Sequence, residues 1–282
     1  MKILVTGAKG QLGQEICNCL LAAGIPHKGV DISDFDLTDE AATLEAIRSY
    51  RPDGIIHCAA YTAVDKAETE RDLCYRINVE GTAHVAKACQ ELDASMLYVS
   101  TDYVFDGQGD TPFETDAKIA PVNHYGLTKA LGEHEVTSRL EKYFIVRISW
   151  VFGHHGSNFV KTMMRLGGQH ESVRVVGDQV GSPTYVDDVA PLMYQMIQTD
   201  KYGVYHATNE GYCSWYEFAV EIMQLAGLAC KVERIATKEY PTAAKRPSNS
   251  RLSKRSLDEA HFTRLPSWSD SLERYLGRHE KK

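Results

Sequence analysis

The sequence predicts an α/β protein built on a doubly wound parallel sheet. Residues 1–150 alternate short β-branched runs with longer amphipathic runs, which is the pattern of parallel strands joined by covering helices. Three glycines at exact three-residue spacing follow the first of these runs. From about residue 151 glycines interrupt the chain more often. We therefore expect a main domain over residues 1–150 and a smaller lobe that binds substrate over residues 151–282.

The individual elements follow from this alternation. Strands are predicted at residues 2–6, 27–30, 54–59, 96–100 and 144–148. Helices are predicted at residues 11–23, 40–50, 73–92, 127–139, 186–197 and 214–226. Two further apolar runs, at residues 173–176 and 204–206, are expected to return from the C-terminal lobe to the main sheet.

Composition limits the possible partners and the compartment. With 31 basic and 38 acidic residues, the chain carries a formal charge of -7, so neither a nucleic-acid nor a membrane partner is predicted. The seven cysteines form no Cys-x-x-Cys pair, which indicates reduced thiols. No apolar run approaches the roughly 18 residues of a spanning helix. We expect a cytoplasmic monomer or homodimer.

The glycine spacing predicts a site for a dinucleotide. Gly7, Gly10 and Gly13 lie between the first predicted strand and the first predicted helix, which opens at Gln11 and Leu12. Glycine allows a sharp turn and a close approach of the backbone to a pyrophosphate. The free N–H groups of the helix N-terminus then bind the phosphates. In this strand-turn-helix context the motif indicates a Rossmann-like cofactor site.

The adenosine end of the cofactor is expected near two acids. Asp31 closes the second predicted strand 18 residues after Gly13, where an acid commonly binds the ribose hydroxyls. No arginine follows it closely, which favours NADH or the use of both NADH and NADPH. Asp36 and Leu37 are a second candidate for this end, although Asp36, Thr38 and Asp39 alternatively serve only to cap the following helix.

A tyrosine and a lysine are the predicted catalytic residues. Tyr125 and Lys129 are four residues apart, which places both on one face of a helix. A phenol titrates near pH ~10, and a neighbouring ammonium favours its anion, so Lys129 is expected to lower the pKa of Tyr125. Thr101 directly follows a predicted strand, where its hydroxyl can hold a substrate carbonyl beside the phenol.

These residues carry a resemblance to a known family. The chain resembles the extended short-chain dehydrogenases and, within them, the dTDP-4-dehydrorhamnose reductase family. The similarity runs through segments 6–13, 58–65, 78–82, 100–107, 125–129, 178–184 and 246–252. Segments 100–107 (STDYVFDG) and 246–252 (RPSNSRL) point to this reductase family, whereas the glycine loop and the Tyr/Lys pair mark only the superfamily.

The resemblance implies a reaction and a set of contacts. The implied reaction is hydride transfer from NADH or NADPH to C4 of dTDP-4-dehydro-L-rhamnose, giving dTDP-L-rhamnose, with Tyr125 as proton donor. By resemblance, the cofactor contacts Ala60, Tyr61, Thr62 and Val99, Asn78 supports a proton relay, and the sugar nucleotide contacts Thr101, Asp102 and Trp150.

Two of the substrate contacts have competing explanations. Arg246 is a candidate for binding the diphosphate of the substrate, because a guanidinium donates two parallel hydrogen bonds to phosphate. A solvated turn before Pro247 explains the same arginine. Trp150 equally fits a buried structural indole. No metal site is predicted, since no carboxylates accompany the histidines at ligand spacing.

Two other functions remain open. The first is an NAD-dependent sugar-nucleotide epimerase or dehydratase, although Asp102 alone supplies only half of the acid pair typical of dehydratases. The second is a non-catalytic regulatory subunit of methionine adenosyltransferase, which the reductase family resembles. The presence of Thr101, Tyr125 and Lys129 argues against a purely regulatory role.

Overall fold

The computed structural model describes residues 1–279, so the last three residues of the predicted C-terminal lobe lie outside it. The strands in this range are β1 (Ile3–Thr6), β2 (His27–Val30), β3 (Gly54–His57), β4 (Ser95–Thr101), β5 (Tyr143–Ile148), β6 (Val151–Phe152), β7 (Ser172–Val176), β8 (Val180–Gly181), β9 (Thr184–Tyr185), β10 (Gly203–His206), β11 (Cys213–Ser214), β12 (Lys231–Ile235) and β13 (Asn249–Ser250).

Helices connect these strands and cover the sheets. The α-helices in the same range are α1 (Gln11–Ala22), α2 (Glu40–Tyr50), α3 (Arg71–Tyr75), α4 (Gly81–Leu92), α5 (His124–Thr137), α6 (Phe159–Gly167), α7 (Val186–Ile197), α8 (Trp215–Leu225), α9 (Arg255–Glu259) and α10 (Trp268–His279). Single 3₁₀ turns occur at Lys66–Glu68, Asp102–Val104 and Thr237–Glu239, and a π-helical turn, Arg76–Glu80, joins α3 to α4.

The main sheet has six parallel strands in the order β2-β1-β3-β4-β5-β10. The chain moves outward from β1 to β2 and then returns to place β3 on the other side of β1. Loops after β1 and β3 therefore diverge, which opens a crevice at the carboxyl ends of the strands. The predicted fold class, an α/β protein with a Rossmann-like parallel sheet, is confirmed.

Helices pack on both faces of this sheet. Along β1, Ile3 and Val5 point into the core shared with α1, whereas Leu4 points into the opposite core shared with α2. Helix α7 packs beside α1 on the first face, and α4 packs beside α2 on the second. Because both faces are covered, the central strands are continuous apolar runs without polar alternation.

The C-terminal half contributes one strand to the main sheet and builds smaller sheets of its own. The prediction that residues 204–206 return is confirmed, since β10 pairs with β5. The same prediction for residues 173–176 is wrong, because β7 pairs with β12 in a separate two-stranded sheet. Arg174 and Ser172 of β7 are exposed. A strand that alternates in this way needs one solvated face, which the interior of the main sheet does not offer.

Two helices near the crevice differ from their predicted bounds. Helix α5 begins three residues before residue 127 because the side chain of Asn123 accepts a hydrogen bond (2.8 Å) from the backbone N–H of Gly126. Tyr125 thus lies in the first turn. The predicted helix 73–92 is interrupted by the π-helical turn that contains Asn78. Among residues 1–279, no helix has the length and apolar character needed to cross a membrane.

Candidate active site

A cleft of about 850 Å³ opens at the carboxyl ends of β1 to β5. Most of the site residues predicted from the sequence line it. They are Gly7, Gly10, Gln11, Leu12, Gly13, Asp31, Asp36, Leu37, Ala60, Thr62, Val99, Thr101, Asp102, Tyr125, Lys129 and Trp150. Tyr61, Asn78 and Arg246 do not line it. This position is the one expected for ligands in an open parallel sheet.

The glycine loop forms one end of the cleft. Gly7 adopts a φ of +66°, and a Cβ there would lie 2.7 Å from the backbone nitrogen of Ala59. A Cβ at Gly13 would overlap the carbonyl oxygen of Gly7, so the helix could not pack against the turn. Gly10 is the N-cap of α1 and offers no side chain to the first helical N–H groups. These donors are therefore available to a phosphate.

The adenosine end contains a cation, Lys9, that was not predicted from the sequence. Asp31 accepts hydrogen bonds of 2.9 Å from the backbone N–H groups of Lys9 and Ile32. The ammonium of Lys9 donates to the hydroxyl of Ser33 at 2.7 Å, and Lys9 lines the cleft beside Asp31. An arginine after Asp31 is the usual cation at this position, whereas here the cation comes from the glycine loop itself.

Two acids after β2 have different structural roles. Asp36 accepts a hydrogen bond (2.8 Å) from the backbone N–H of Thr38 within a turn. Asp39 caps α2, as the capping alternative predicts for this residue, by accepting a hydrogen bond from the backbone N–H of Ala42. Asp36 and Leu37 remain at the wall of the cleft.

Tyr125, Lys129 and Thr101 meet in the middle of the cleft. Tyr125 is 9% exposed, Lys129 2% and Thr101 6%. The phenol, the ammonium and the hydroxyl are therefore shielded from bulk water. The side chain of Thr101 lies next to the phenol of Tyr125 and acts to lower its pKa. Helix α5 supplies the first two side chains, and β4 ends at the third.

Burial dominates the electrostatics of this group. The pKa of Tyr125 is raised above its ordinary value by burial and by the charge of Asp102, although the side chain of Thr101 opposes the change. The prediction that Lys129 lowers this pKa is wrong: burial of the phenol raises the pKa of Tyr125, and Lys129 is not among the groups that shift it. Burial also lowers the pKa of Lys129 to about 7, while the charge of Glu133 raises it. The phenol consequently carries its proton at neutral pH.

Asp102 adds a buried carboxyl beside the tyrosine. It is 3% exposed, and its Oδ1 accepts a hydrogen bond of 3.0 Å from the hydroxyl of Thr101. Burial raises the pKa of Asp102 to about 6, while hydrogen bonds from Ser250 and Thr101 act in the opposite direction. This carboxyl can therefore exchange a proton near neutral pH.

The far wall of the cleft is an indole in a strained backbone position. Trp150 has a φ of 50°, in the left-handed region that bulky side chains rarely adopt. Its ring stacks on Trp215 of α8 with centroids 3.7 Å apart and planes 15° apart. A Cβ at Gly181 would lie 3.0 Å from the same indole. Trp215 carried no functional signal in the sequence.

Comparison with known proteins decides the family. A family model described as the RmlD substrate binding domain matches residues 1–280. A dTDP-4-dehydrorhamnose reductase of Aggregatibacter actinomycetemcomitans is 39% identical over 96% of this chain and 97% of its own length. The chain belongs to the dTDP-4-dehydrorhamnose reductase family.

Two further relatives support this assignment. The spore coat polysaccharide biosynthesis protein SpsK of Bacillus subtilis is 40% identical over 98% of this chain and 96% of its own length. The crystal structure of dTDP-4-dehydrorhamnose reductase from Bacillus anthracis, in complex with NADP, is 43% identical with a TM-score of 0.96, and the match covers 99% of this chain and all of that one. The family is one of NAD(P)H-dependent oxidoreductases.

Two residues that the reductase resemblance placed at the cofactor lie behind the cleft wall. Asn78 accepts a hydrogen bond from the backbone N–H of Tyr61 (2.8 Å) and donates one to its carbonyl (3.2 Å). Asn78 also donates to the hydroxyl of Thr128 at 3.0 Å, one residue before Lys129. The phenol of Tyr61 donates to Glu70 (2.6 Å), away from the cleft. Both residues fix the loop that carries Ala60 and Thr62.

Arg246 of this reductase-family chain is already engaged by protein groups. It forms an ion pair of 2.5 Å with Asp65 and donates to the hydroxyl of Tyr103 at 3.0 Å. Asp65 also accepts from the backbone N–H of Ala244. The predicted contact of Arg246 with a diphosphate therefore stays a prediction. In residues 1–279, no group of three or more His, Cys, Asp or Glu side chains is arranged to hold a metal ion.

Proposed function

We propose that the chain reduces the C4 ketone of dTDP-4-dehydro-L-rhamnose to dTDP-L-rhamnose, using NADPH or NADH, with Tyr125 as the proton donor. The observation that carries this proposal is the meeting of Tyr125, Lys129 and Thr101 in one buried group beside the glycine loop. The named reductase activity of relatives at 39% identity, and the NADP complex of a relative at 43%, support the same reaction.

The residues of the cleft fit a nicotinamide dinucleotide. The turn at Gly7 and Gly10 and the N-terminus of α1 would hold its pyrophosphate. Asp31 would bind the adenosine ribose, and Lys9 beside it would meet a 2′-phosphate. Val99 and Lys129 would lie at the nicotinamide end. The cofactor, when bound, supplies the hydride that reduces C4.

The protein controls the accompanying proton. As negative charge develops on the C4 oxygen, the protonated phenol of Tyr125 donates to it. Thr101 donates a hydrogen bond to the same oxygen and so stabilises the charge before the proton arrives. The ammonium of Lys129 stabilises the phenolate that remains. The raised pKa of Tyr125 keeps the donor loaded before each turnover.

The sugar nucleotide would lie between the catalytic group and the tryptophan wall. The indole of Trp150 offers a flat apolar surface to the deoxysugar. Asp102 would accept hydrogen bonds from a sugar hydroxyl while Thr101 engages the ketone. These contacts would exclude water and orient C4 toward the phenol.

The test is the absorbance of the reduced nicotinamide, measured with purified protein, NADPH or NADH, and dTDP-4-dehydro-L-rhamnose generated in situ. Loss of absorbance with formation of dTDP-L-rhamnose is the expected result. A retained cofactor with no net consumption, but with isomerised or dehydrated sugar nucleotide, would instead identify an epimerase or dehydratase. A stable complex with methionine adenosyltransferase and no turnover would identify the regulatory subunit. The cytoplasmic location and the monomeric or homodimeric state stay predictions.

A further inference from the structure

A buried ion pair lies directly behind the catalytic residues. Glu133 of α5 is 4% exposed and Arg147 of β5 is 2% exposed. The guanidinium donates to both carboxylate oxygens of Glu133, from Nε at 2.8 Å and from Nη2 at 2.7 Å. Ser100 adds a third hydrogen bond of 2.5 Å to Oε1. Such bidentate pairing fixes the orientation of an ionised carboxylate.

Residues of three neighbouring strands, paired in register, hold this ion pair in place. Ser100 of β4 is paired with Arg147 of β5, which is paired with His206 of β10. Burial and the charge of Arg147 lower the pKa of His206 to about 3. The neutral ring lies 3.3 Å from Arg147 through Nε2 and 3.1 Å from the carbonyl oxygen of Ser253 through Nδ1. The position of Arg147, and through it that of Glu133, is therefore set by three strands.

Glu133 also lies one helical turn after Lys129. Residues four apart on a helix share a face, so the carboxylate follows the ammonium along α5. Lys129 is 2% exposed, and its Nζ stands 4.0 Å from the ring centroid of Tyr98 on β4. A buried ammonium is costly unless an opposite charge compensates it.

The buried carboxyl of Asp102 lines the same cleft, but its charge acts on Tyr125 and is not among those that shift the pKa of Lys129. The remaining titratable groups near Lys129 are neutral. Burial raises the pKa of Cys58, after β3, and of Cys74 on α3, so both are thiols at neutral pH. Burial likewise raises the pKa of Tyr98 well above its ordinary value. Burial, together with the charge of Lys129, lowers the pKa of His57 on β3 to about 3.

The proton donor itself carries no charge either, because the pKa of Tyr125 is raised. Glu133 is thus left as the charged partner, and its charge is the largest influence that favours the ammonium of Lys129.

We propose that Glu133 is a positioning residue that supplies the counter-charge for Lys129, with its carboxylate held in place by Arg147 and Ser100. The proposal rests on the proposed function only in so far as it concerns turnover. Glu133 lies outside the cleft lining and acts through Lys129. Without its charge, less of the ammonium would be present at a given pH, and the phenolate left by Tyr125 would lose its partner.

The test measures the protonation of Lys129 directly, without turnover. The full chain is labelled with carbon-13 at lysine Cε, and the Lys129 resonance is assigned with the Lys129→Met variant. We expect a midpoint near pH 7 in the unchanged protein. In Glu133→Gln the midpoint should fall by at least about one pH unit, which is typical for the loss of one close opposite charge.

A second variant guards against loss of the fold. Glu133→Gln leaves Arg147 unpaired in the interior, which is destabilising. The double variant Glu133→Leu with Arg147→Met replaces the pair by apolar side chains of similar size, an exchange that buried ion pairs commonly tolerate. The midpoint should fall in the double variant as well, by less than in Glu133→Gln, because no unpaired guanidinium remains. Glu91→Gln is the matched control, since Glu91 pairs with Arg48 at the surface.

The outcomes separate this proposal from the proposed function. A folded double variant with an unchanged Lys129 midpoint would overturn the counter-charge role and leave the pair a purely structural contact. In the reductase assay, the basic limb of the kcat/KM profile should move to lower pH together with the midpoint. Absence of turnover in the unchanged protein, with the midpoint still lowered by the substitutions, would refute the reductase and retain the role of Glu133.

Discussion

The two ends of the cleft are assembled in different ways. The cofactor end consists of loops that directly follow β1, β2 and β3, so each contact group comes from a short stretch of chain. The sugar end depends on Trp150, which is held by Trp215 from α8, 65 residues later in the sequence, and by Gly181. The first end is determined by local backbone conformation, and the second by packing between distant segments. Substitutions at the two ends should therefore have different kinds of effect.

Substitution of the proton donor, which lies between the two ends of the cleft, should have the largest effect on turnover. We expect Tyr125→Phe to lower kcat by about 10³-fold, because the ring and its packing remain while the proton donor is lost. The affinity for NADPH, measured by fluorescence titration, should stay the same. Tyr240→Phe is the matched control, since Tyr240 is 58% exposed. A Tyr125→Phe variant with near-normal kcat would show that another group supplies the proton.

At the sugar end, Trp215→Leu should raise KM for the sugar nucleotide about tenfold and change kcat little. The stack that holds the strained Trp150 would be lost, and aromatic pairs of this kind contribute about 0.5–1.5 kcal/mol. Circular dichroism gives an independent readout, because two stacked indoles produce an exciton couplet that the variant should lose. Trp268→Leu, which leaves the stack intact, should keep both the couplet and KM. An unchanged KM together with a lost couplet would mean that the stack has no part in substrate binding.

At the cofactor end, Lys9→Gln should raise KM for NADPH about threefold to fivefold and leave KM for NADH unchanged. An exposed pair of an ammonium and a phosphate is worth about 1 kcal/mol at most. The effect should decrease as the salt concentration rises. Lys28→Gln, an exposed lysine of β2 outside the cleft lining, is the control. An equal change for both cofactors would contradict a role of Lys9 in recognising the 2′-phosphate.

The smallest effects are expected at the ion pair between Arg246 and Asp65. Asp65→Asn and Arg246→Gln should each raise KM for the sugar nucleotide about twofold, because half-exposed ion pairs contribute little. Equal effects would indicate that the pair only joins the segment before β13 to the loop after β3. A clearly larger effect of Arg246→Gln would show that the arginine also contacts the diphosphate, as the sequence predicted.

The sequence predicted the parts of the site that depend on neighbouring residues. The positive φ of Gly7 and the packing of Gly13 on Gly7 arise from a turn within one segment, and Tyr125 and Lys129 are related by one helical turn. The pairing of β7 with β12 could not be predicted in this way, because an apolar run does not specify its partner strand. Pairs such as Arg246 with Asp65 join residues 181 positions apart, for which one sequence carries no signal.

The electrostatic prediction failed for a similar reason. From spacing alone, Lys129 is expected to lower the pKa of Tyr125. The structure adds the depth of burial, which is a property of the whole assembled core and which reverses the direction of the change. The spacing between Lys129 and Glu133 was equally visible in the sequence, but its meaning depends on Arg147 and Ser100, which reach Glu133 only in the folded sheet.

β10 lies far after its partner β5 in the sequence, which has a consequence during synthesis of the chain. When the first 150 residues have left the ribosome, β5 is the open edge of an otherwise assembled sheet, and its partner is still about 55 residues away. The side of α1 against which α7 packs is exposed over the same interval, since α7 begins at Val186. Nascent chains of this length should therefore depend on chaperones, and premature termination near residue 150 should yield insoluble fragments.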